Sequence, residues 1–357
     1  MLHQIQAAVL RPGAGALQIE SLELEGPRDD EVLVRLAASG ICHTDIGFVA
    51  GHSGPPLILG HEGAGVVAEA GRKVKGIKTG DHVVLSYQSC GRCPACRRGR
   101  PTTCGHFWDL NFGFQRLDGS NAYSNGVQGH FFGQSSFATH TLATRRNLVK
   151  VPQDLPLKLL APMGCGLQTG AATVLNLLQV PPGASIAVFG TGAVGLAAVM
   201  AARLAGAAPI IGVDIKPGRL ELALELGASH VIDSSREEVV PRVRAITGRG
   251  VDFVLEITGN SDMYQAGTEA LNPRGTMALI ASPGRGGSLP GGRKIIGSIQ
   301  GDAVPQNFIP KLIELYQAGQ FPFERLLKFY EFREINRAMA DAIKGAAIKP
   351  VLLIGEH

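Results

Sequence analysis

Two regimes of hydrophobic patterning divide the chain near residue 165. Before it, short apolar runs at 6–10, 31–38, 63–70, 82–85 and 148–151 are punctuated heavily by Gly and Pro. Short β-rich runs between such breakers predict strands, so this part reads as an irregular, mostly β unit with no helix of length. After it, apolar strands at 186–189, 210–214, 230–232, 253–257 and 276–280 alternate with helical patterns at 194–205, 219–226, 237–247 and 263–271. That alternation predicts a parallel, doubly wound sheet.

Helices at 308–318 and 335–344 and a strand at 350–354 follow. The doubly wound unit is complete before them, so this tail is expected to rejoin the first domain. The expected layout is α/β, with domains at 1–166 and 167–298 and a return over 299–357. A Gly-rich stretch at 284–292 reads as a loop rather than a phosphate cradle, because no helix follows it.

Composition narrows the class. The 357 residues suffice for two ordinary domains, and 45% hydrophobic with 18% charged residues is a globular balance. The net charge of +4 is mild, and the densest basic run, Arg97-Arg98-Gly99-Arg100, lacks interleaved aromatics. It reads as solvated surface, not as a nucleic-acid contact. The longest apolar stretch, 186–202, is broken by Gly190, Gly192 and Gly195 and falls short of the roughly 20 residues of a membrane span. The N-terminal residues lack the features of an export signal, so a reducing cytoplasm is the expected compartment.

One motif is placed where its chemistry needs it. Gly190-Thr191-Gly192-Ala193-Val194-Gly195 follows an apolar strand and opens a helix, and Asp214 ends the next strand. Glycines permit the tight turn and close approach to a pyrophosphate, and the helix N-terminus supplies oriented amides. Asp214 is expected to accept from an adenosine ribose and to repel a 2′-phosphate, favouring NAD over NADP.

All six cysteines suit zinc. Cys90, Cys93, Cys96 and Cys104 form a C-x2-C-x2-C-x7-C lobe, the pattern of a closed tetrahedral structural site. Cys42 and Cys165 stand apart, with His61-Glu62 between them in sequence. Two thiolates and one imidazole leave a fourth position open, as a catalytic zinc requires.

The segments Gly40-Ile41-Cys42-His43-Thr44-Asp45, Gly60-His61-Glu62-Gly63 and Gly164-Cys165-Gly166, with the cysteine lobe and the glycine turn, resemble the zinc-dependent medium-chain alcohol dehydrogenases. The resemblance spans essentially the whole chain and implies a GroES-like catalytic domain joined to a Rossmann domain. Phe132-Gly133-Gln134-Ser135-Ser136-Phe137-Ala138-Thr139, Cys165-Gly166-Leu167-Gln168-Thr169-Gly170 and the long segment between Cys104 and Leu148 are most similar to NAD-dependent aryl-alcohol and geraniol-oxidising members.

The resemblance implies roles. Cys42, His61 and Cys165 are expected to ligate the catalytic zinc, with Glu62 approaching it when water or substrate leaves. Asp45 would fix the His61 tautomer, and Thr44 would take the alcohol proton. Thr169 and Val194 would touch the nicotinamide side of the cofactor, while His43, Arg219 and Lys349 would hold its pyrophosphate and ribose. Where relatives with a full proton relay carry a histidine, this chain has Gly47, so protons leave through water or through His52. Trp108, Phe131 and Phe132 are expected to line a pocket for a primary aromatic or allylic alcohol. Pairing of copies is expected through the Rossmann edge strand around 293–301, as a homodimer or homotetramer. The rivals are a metal-free quinone or enoyl reductase of the same superfamily and a non-catalytic NAD-binding zinc protein.

Overall fold

The computed structural model describes residues 1–281 and 287–355, and these form two compact units. The first gathers Met1–Cys165, Val304–Pro310 and the residues from Glu324 onward; the second gathers Gly166–Ala303 and Lys311–Phe323. The return is therefore narrower than 299–357. Residues 299–303 and 311–323 belong to the second unit, where Leu312, Phe321 and Phe323 are fully buried. The division falls inside the helix Pro305–Gln317, at its internal Pro310.

The first unit carries two sheets. One has three strands in the order Leu17–Glu25, Leu2–Leu10, Leu57–Ile58, all antiparallel. The other has seven and is built around Glu31–Gly40, a strand flanked by Lys349–Leu353 and Gly63–Ala70 and also paired to His140–Thr144. Glu31–Gly40 is apolar nearly throughout because both of its faces are covered. Val32, Val34 and Leu36 pack with Val67, Val83, Leu85 and Leu148, while Leu33 joins a core holding Leu10, Leu24, Phe131 and Phe137. Each such burial stabilises by about 1.5–3 kcal/mol relative to exposure.

Local patterning missed several elements here, among them the strands Leu57–Ile58, His140–Thr144 and Leu327–Glu331. The strand Leu17–Glu25 presents several acidic residues to solvent, and the helix His43–Gly51 contains Gly47 and ends on Gly51, a poor helical composition. Tertiary packing overrides both. Further short helices at Phe107–Phe112 and Leu157–Leu160 also interrupt the β unit.

The second unit is a seven-stranded sheet in the order His230–Asp233, Ile210–Asp214, Ile186–Phe189, Val251–Glu256, Leu271–Leu279, Arg293–Gly297, Gly287–Leu289. The first six strands are parallel and the last is antiparallel. Strand order reverses at Ile186–Phe189, the topological switch point where such sheets bind ligands beyond their carboxyl ends. Arg293–Gly297 is not the edge, because Gly287–Leu289 covers its free side. Residues 293–297, within the segment expected to pair copies, therefore lie inside the sheet. Of the Gly-rich stretch 284–292, residues 284–286 lie outside the described residues, and 287–289 form this strand rather than a loop.

Candidate metal centres and the dinucleotide turn

Cys42 caps the N-terminus of the helix His43–Gly51, and Asp45 in its first turn folds back to accept from the Cys42 amide at 2.9 Å. The same carboxylate accepts from the Gly60 amide at 3.1 Å and from His61 Nδ1 at 3.0 Å. Gly60 sits at φ +89, with a would-be Cβ only 2.5 Å from the Phe137 amide nitrogen, so only glycine fits this approach. Asp45 and His61 are fully buried. Gln134, also fully buried, donates to the His61 and Ser86 carbonyls at 3.0 and 3.1 Å and accepts from the Gly63 amide at 3.2 Å. On the far side, the Ser86 hydroxyl donates to the Gly164 carbonyl at 2.6 Å, fixing the turn into Cys165.

These anchors bring Cys42, His61, Glu62 and Cys165 together, with one ligand atom from each lying within 4.8 Å of the others. His61 Nε2 is buried with no hydrogen-bond partner, while Nδ1 is held by Asp45. A donor-deprived nitrogen beside two thiols fits a divalent metal. Hydrogen bonding from Cys165, helped by the charges of His61 and Lys349, holds the Cys42 thiol well below its ordinary range despite burial. Its thiolate is the form a metal requires. Cys165 is driven well upward by its contact with Cys42 and by burial.

Lys349 lies against the first cluster. Its ammonium donates to both Glu62 oxygens at 2.9 and 3.0 Å and to the Ile41 carbonyl at 3.1 Å. It is 3% exposed, so its three donors are engaged inside the protein. Burial disfavours its charge, but Glu62 outweighs burial and keeps it protonated. Burial raises the Glu62 carboxyl, and Lys349 opposes that rise.

The second cluster unites Cys90, Cys93, Cys96 and Cys104, again within 4.8 Å of one another. All six cysteines are free thiols. Backbone amides point at the sulfurs: Cys93 N donates to Cys90 Sγ at 3.3 Å, and Cys90 N and His106 N donate to Cys104 Sγ at 3.3 and 3.4 Å. Amides of Cys96 and Gly105 bring the Cys93 thiol down to about 6. Four sulfurs in this arrangement fit a structural zinc.

The aromatic residues divide. Phe132 stacks on the His61 ring at 4.4 Å, and Phe131 meets it edge-on at 5.3 Å. Trp108, by contrast, is 65% exposed and leaves the predicted pocket set, since its helix turns that side chain toward solvent. Phe48 was missed, although it lies one helical turn after Thr44. It packs on Phe131 and Phe114 at 5.1 and 5.4 Å. Thr44 Oγ1 is 3.8 Å from Cys42 Sγ and lines a cavity of about 450 Å³ with Gly47, Phe48 and His52. His52 Nε2 donates to the Pro55 carbonyl at 2.6 Å, which leaves Nδ1 as that ring's acceptor. His43, the first residue of the same helix, is exposed.

In the second unit, Gly190 takes φ +95 at the end of its strand, and a Cβ on Gly195 would lie 1.9 Å from the Gly190 carbonyl oxygen. The helix Ala193–Leu204 therefore starts hard against the turn. A Cβ on Gly170 would meet the Val194 carbonyl oxygen at 2.0 Å, so the buried helix bearing Thr169 lies close on Val194. Thr169 Oγ1 donates to Gln300 Oε1 at 3.3 Å. The Asp214 carboxylate accepts from the Thr191 amide and hydroxyl at 2.8 and 3.0 Å and from the Ile215 and Lys216 amides at 2.8 and 3.1 Å. Those four bonds fill its acceptor sites, so Asp214 first pins the turn, a role the ribose expectation overlooked. Arg219 Nη1 lies 3.8 Å from it.

The sequence profile of the alcohol dehydrogenase GroES-like domain matches residues 28–153, and that of the zinc-binding dehydrogenases matches 193–318. The chain belongs to the zinc-dependent alcohol dehydrogenase family. Geraniol dehydrogenase of Castellaniella defragrans is 43% identical, over 98% of this chain and 97% of its own. The crystal structure of benzyl alcohol dehydrogenase from Acinetobacter calcoaceticus superposes with a TM-score of 0.94 at 43% identity, covering 99% of this chain and 100% of its own. An alcohol dehydrogenase zinc-binding domain protein from Burkholderia ambifaria gives 0.95 at 47% identity, with both chains fully covered. The protein is thus an oxidoreductase that uses zinc and NAD to interconvert a small-molecule alcohol and its carbonyl product. The family's GroES-like and Rossmann halves correspond to the β unit and the doubly wound unit described above. Two full ligand clusters set aside the metal-free reductase. No helix among the described residues is long and apolar enough to cross a membrane.

Proposed function

We propose that this dehydrogenase oxidises primary alcohols bearing an aromatic ring or a double bond next to the carbinol carbon, and reduces the corresponding aldehydes. The observation that carries the reading is the aromatic wall on His61, with Phe132 stacked at 4.4 Å, Phe131 edge-on at 5.3 Å and Phe48 packed on Phe131. Planar apolar substrates gain offset and edge contacts against such rings. The relatives named for geraniol and for benzyl alcohol support the same class.

In this reading Cys42 Sγ, Cys165 Sγ and His61 Nε2 hold the catalytic zinc, and the four-cysteine lobe holds a second. Bound there, zinc supplies Lewis acidity to the substrate oxygen, and NAD supplies the hydride acceptor. Asp45 keeps the proton on His61 Nδ1, which leaves the Nε2 lone pair for the metal. Thr44 Oγ1 accepts the hydroxyl proton, and Nδ1 of His52 or cavity water carries it onward in place of the side chain Gly47 lacks. Phe48, Phe131 and Phe132 exclude water and orient the ring. Glu62, clamped by Lys349, stands beside the ligand set as a replaceable fourth donor. Gly190, Gly192, Val194 and Gly195 form the pyrophosphate turn, Thr169 borders it, and Arg219 contributes positive charge. Six free thiols suit a reducing, cytoplasmic setting, and the outer strand Gly287–Leu289 offers an edge for pairing copies as a homodimer or homotetramer.

Steady-state kinetics with benzyl alcohol, geraniol and ethanol test the substrate class. The expected order of kcat/KM places both larger alcohols far above ethanol, and a preference for ethanol overturns it.

A further inference from the structure

The first unit also contains a cavity of about 580 Å³ that shares no lining residue with the cavity around Thr44. Its wall is cationic. Three of its basic residues have carboxylate partners: Arg116 on Glu31 at 2.6 Å, Arg28 on Asp118 at 2.7 Å, and Lys73 on Asp29 at 3.2 Å. Four more line it without any carboxylate partner among the described residues, namely Lys75, Arg92, Arg145 and Arg146. The Arg146 guanidinium donates to the Ser89 hydroxyl at 3.2 Å. Against these four stands Asp30, the remaining acidic residue of the lining. Cations converging on a concave wall raise the local potential and concentrate anions there.

A second, independent feature marks the same cavity. His130 lines it, is 6% exposed, and has an Nε2 buried with no hydrogen-bond partner. A buried polar atom left unmatched costs about 1–3 kcal/mol, a deficit that a ligand oxygen removes. The volume falls within the range of small-molecule sites, and arginine forks match phosphate oxygens.

We propose that this cavity is a second ligand site, distinct from that of the alcohol, which takes a small phosphorylated metabolite carrying two or more negative charges. Lys75, Arg92, Arg145 and Arg146 supply the counter-charge, and His130 supplies a buried hydrogen-bond partner. A flat duplex or membrane contact is disfavoured because the charges line a hollow.

The test is calorimetric titration of inorganic pyrophosphate into zinc-replete enzyme already saturated with NAD, so that the glycine turn is occupied. One equivalent is expected to bind per chain, more weakly as salt rises. Lys75→Ala/Arg145→Ala, two exposed positions outside the catalytic machinery, is expected to weaken binding at least tenfold. Its kcat and its KM for alcohol and NAD should match those of the parent, which verifies folding. Absence of saturable binding up to about 1 mM overturns the proposal. So does equal affinity in the double variant, or binding of duplex DNA or anionic vesicles through these residues without binding of pyrophosphate.

Discussion

Lys349 Nζ lies 2.9 and 3.0 Å from the two carboxylate oxygens of Glu62, in a region where the side chains are 4% and 0% exposed. The residues are 287 positions apart in sequence, and they join the last strand of the first unit to the metal-binding turn. Removing one partner strands a buried charge. Lys349→Met should therefore destabilise the protein by about 3–5 kcal/mol in urea unfolding, and Glu62→Gln in the same chain should restore much of that loss. An unchanged midpoint in Lys349→Met would show that the pair carries no such constraint.

Asp45 acts on the metal through His61. Asp45→Asn keeps the shape but replaces one acceptor oxygen with a donor, against three groups that all donate to it. Zinc affinity at the Cys42 cluster is expected to fall by about 10–100-fold in chelator competition, while the four-cysteine lobe keeps its metal. Equal loss from both clusters would point to general unfolding instead.

Phe48 borders the cavity of Thr44 and packs on Phe131. Phe48→Ala should lower kcat/KM for benzyl alcohol by about tenfold or more, because one aromatic contact contributes on the order of 1–3 kcal/mol, and should leave ethanol nearly unchanged. A uniform loss across alcohols would remove Phe48 from the specificity wall.

Acid should find His130. Burial, with Arg116 nearby, brings its imidazole down to about 4, and the unfolded value is about 6.5. The neutral ring is favoured in the folded state, so its stabilising contribution is complete above the unfolded value and is lost as pH falls toward the folded one. The shift amounts to about 3 kcal/mol. His130→Asn, which tolerates the local φ of +61, should gain by about that amount relative to the parent between pH 7 and pH 4 in urea unfolding. Parallel pH profiles for the two proteins would contradict this.

Much of the site was legible because its chemistry is written in close spacing. The turn from Gly190 to Gly195 and the lobe from Cys90 to Cys104 each place their working atoms within a few residues. What escaped depends on distance along the chain. Gln134 and His61 are 73 residues apart, and Lys349 and Glu62 meet only through the pairing of Lys349–Leu353 with Glu31–Gly40. No local period encodes those contacts. The helix His43–Gly51 was hidden by its glycines, and Trp108 misled because an aromatic residue type says nothing about which side of a short helix faces water.

Cys42, His61 and Cys165 are expected to hold one zinc on which turnover depends, while the four-cysteine lobe holds another. Zinc content per chain, measured together with NAD-coupled alcohol oxidation in the parent and in Cys42→Ser, tests it most directly. The expected result is two zinc ions and activity in the parent, and one zinc ion without activity in the variant. A variant that keeps both ions and full turnover would contradict the account.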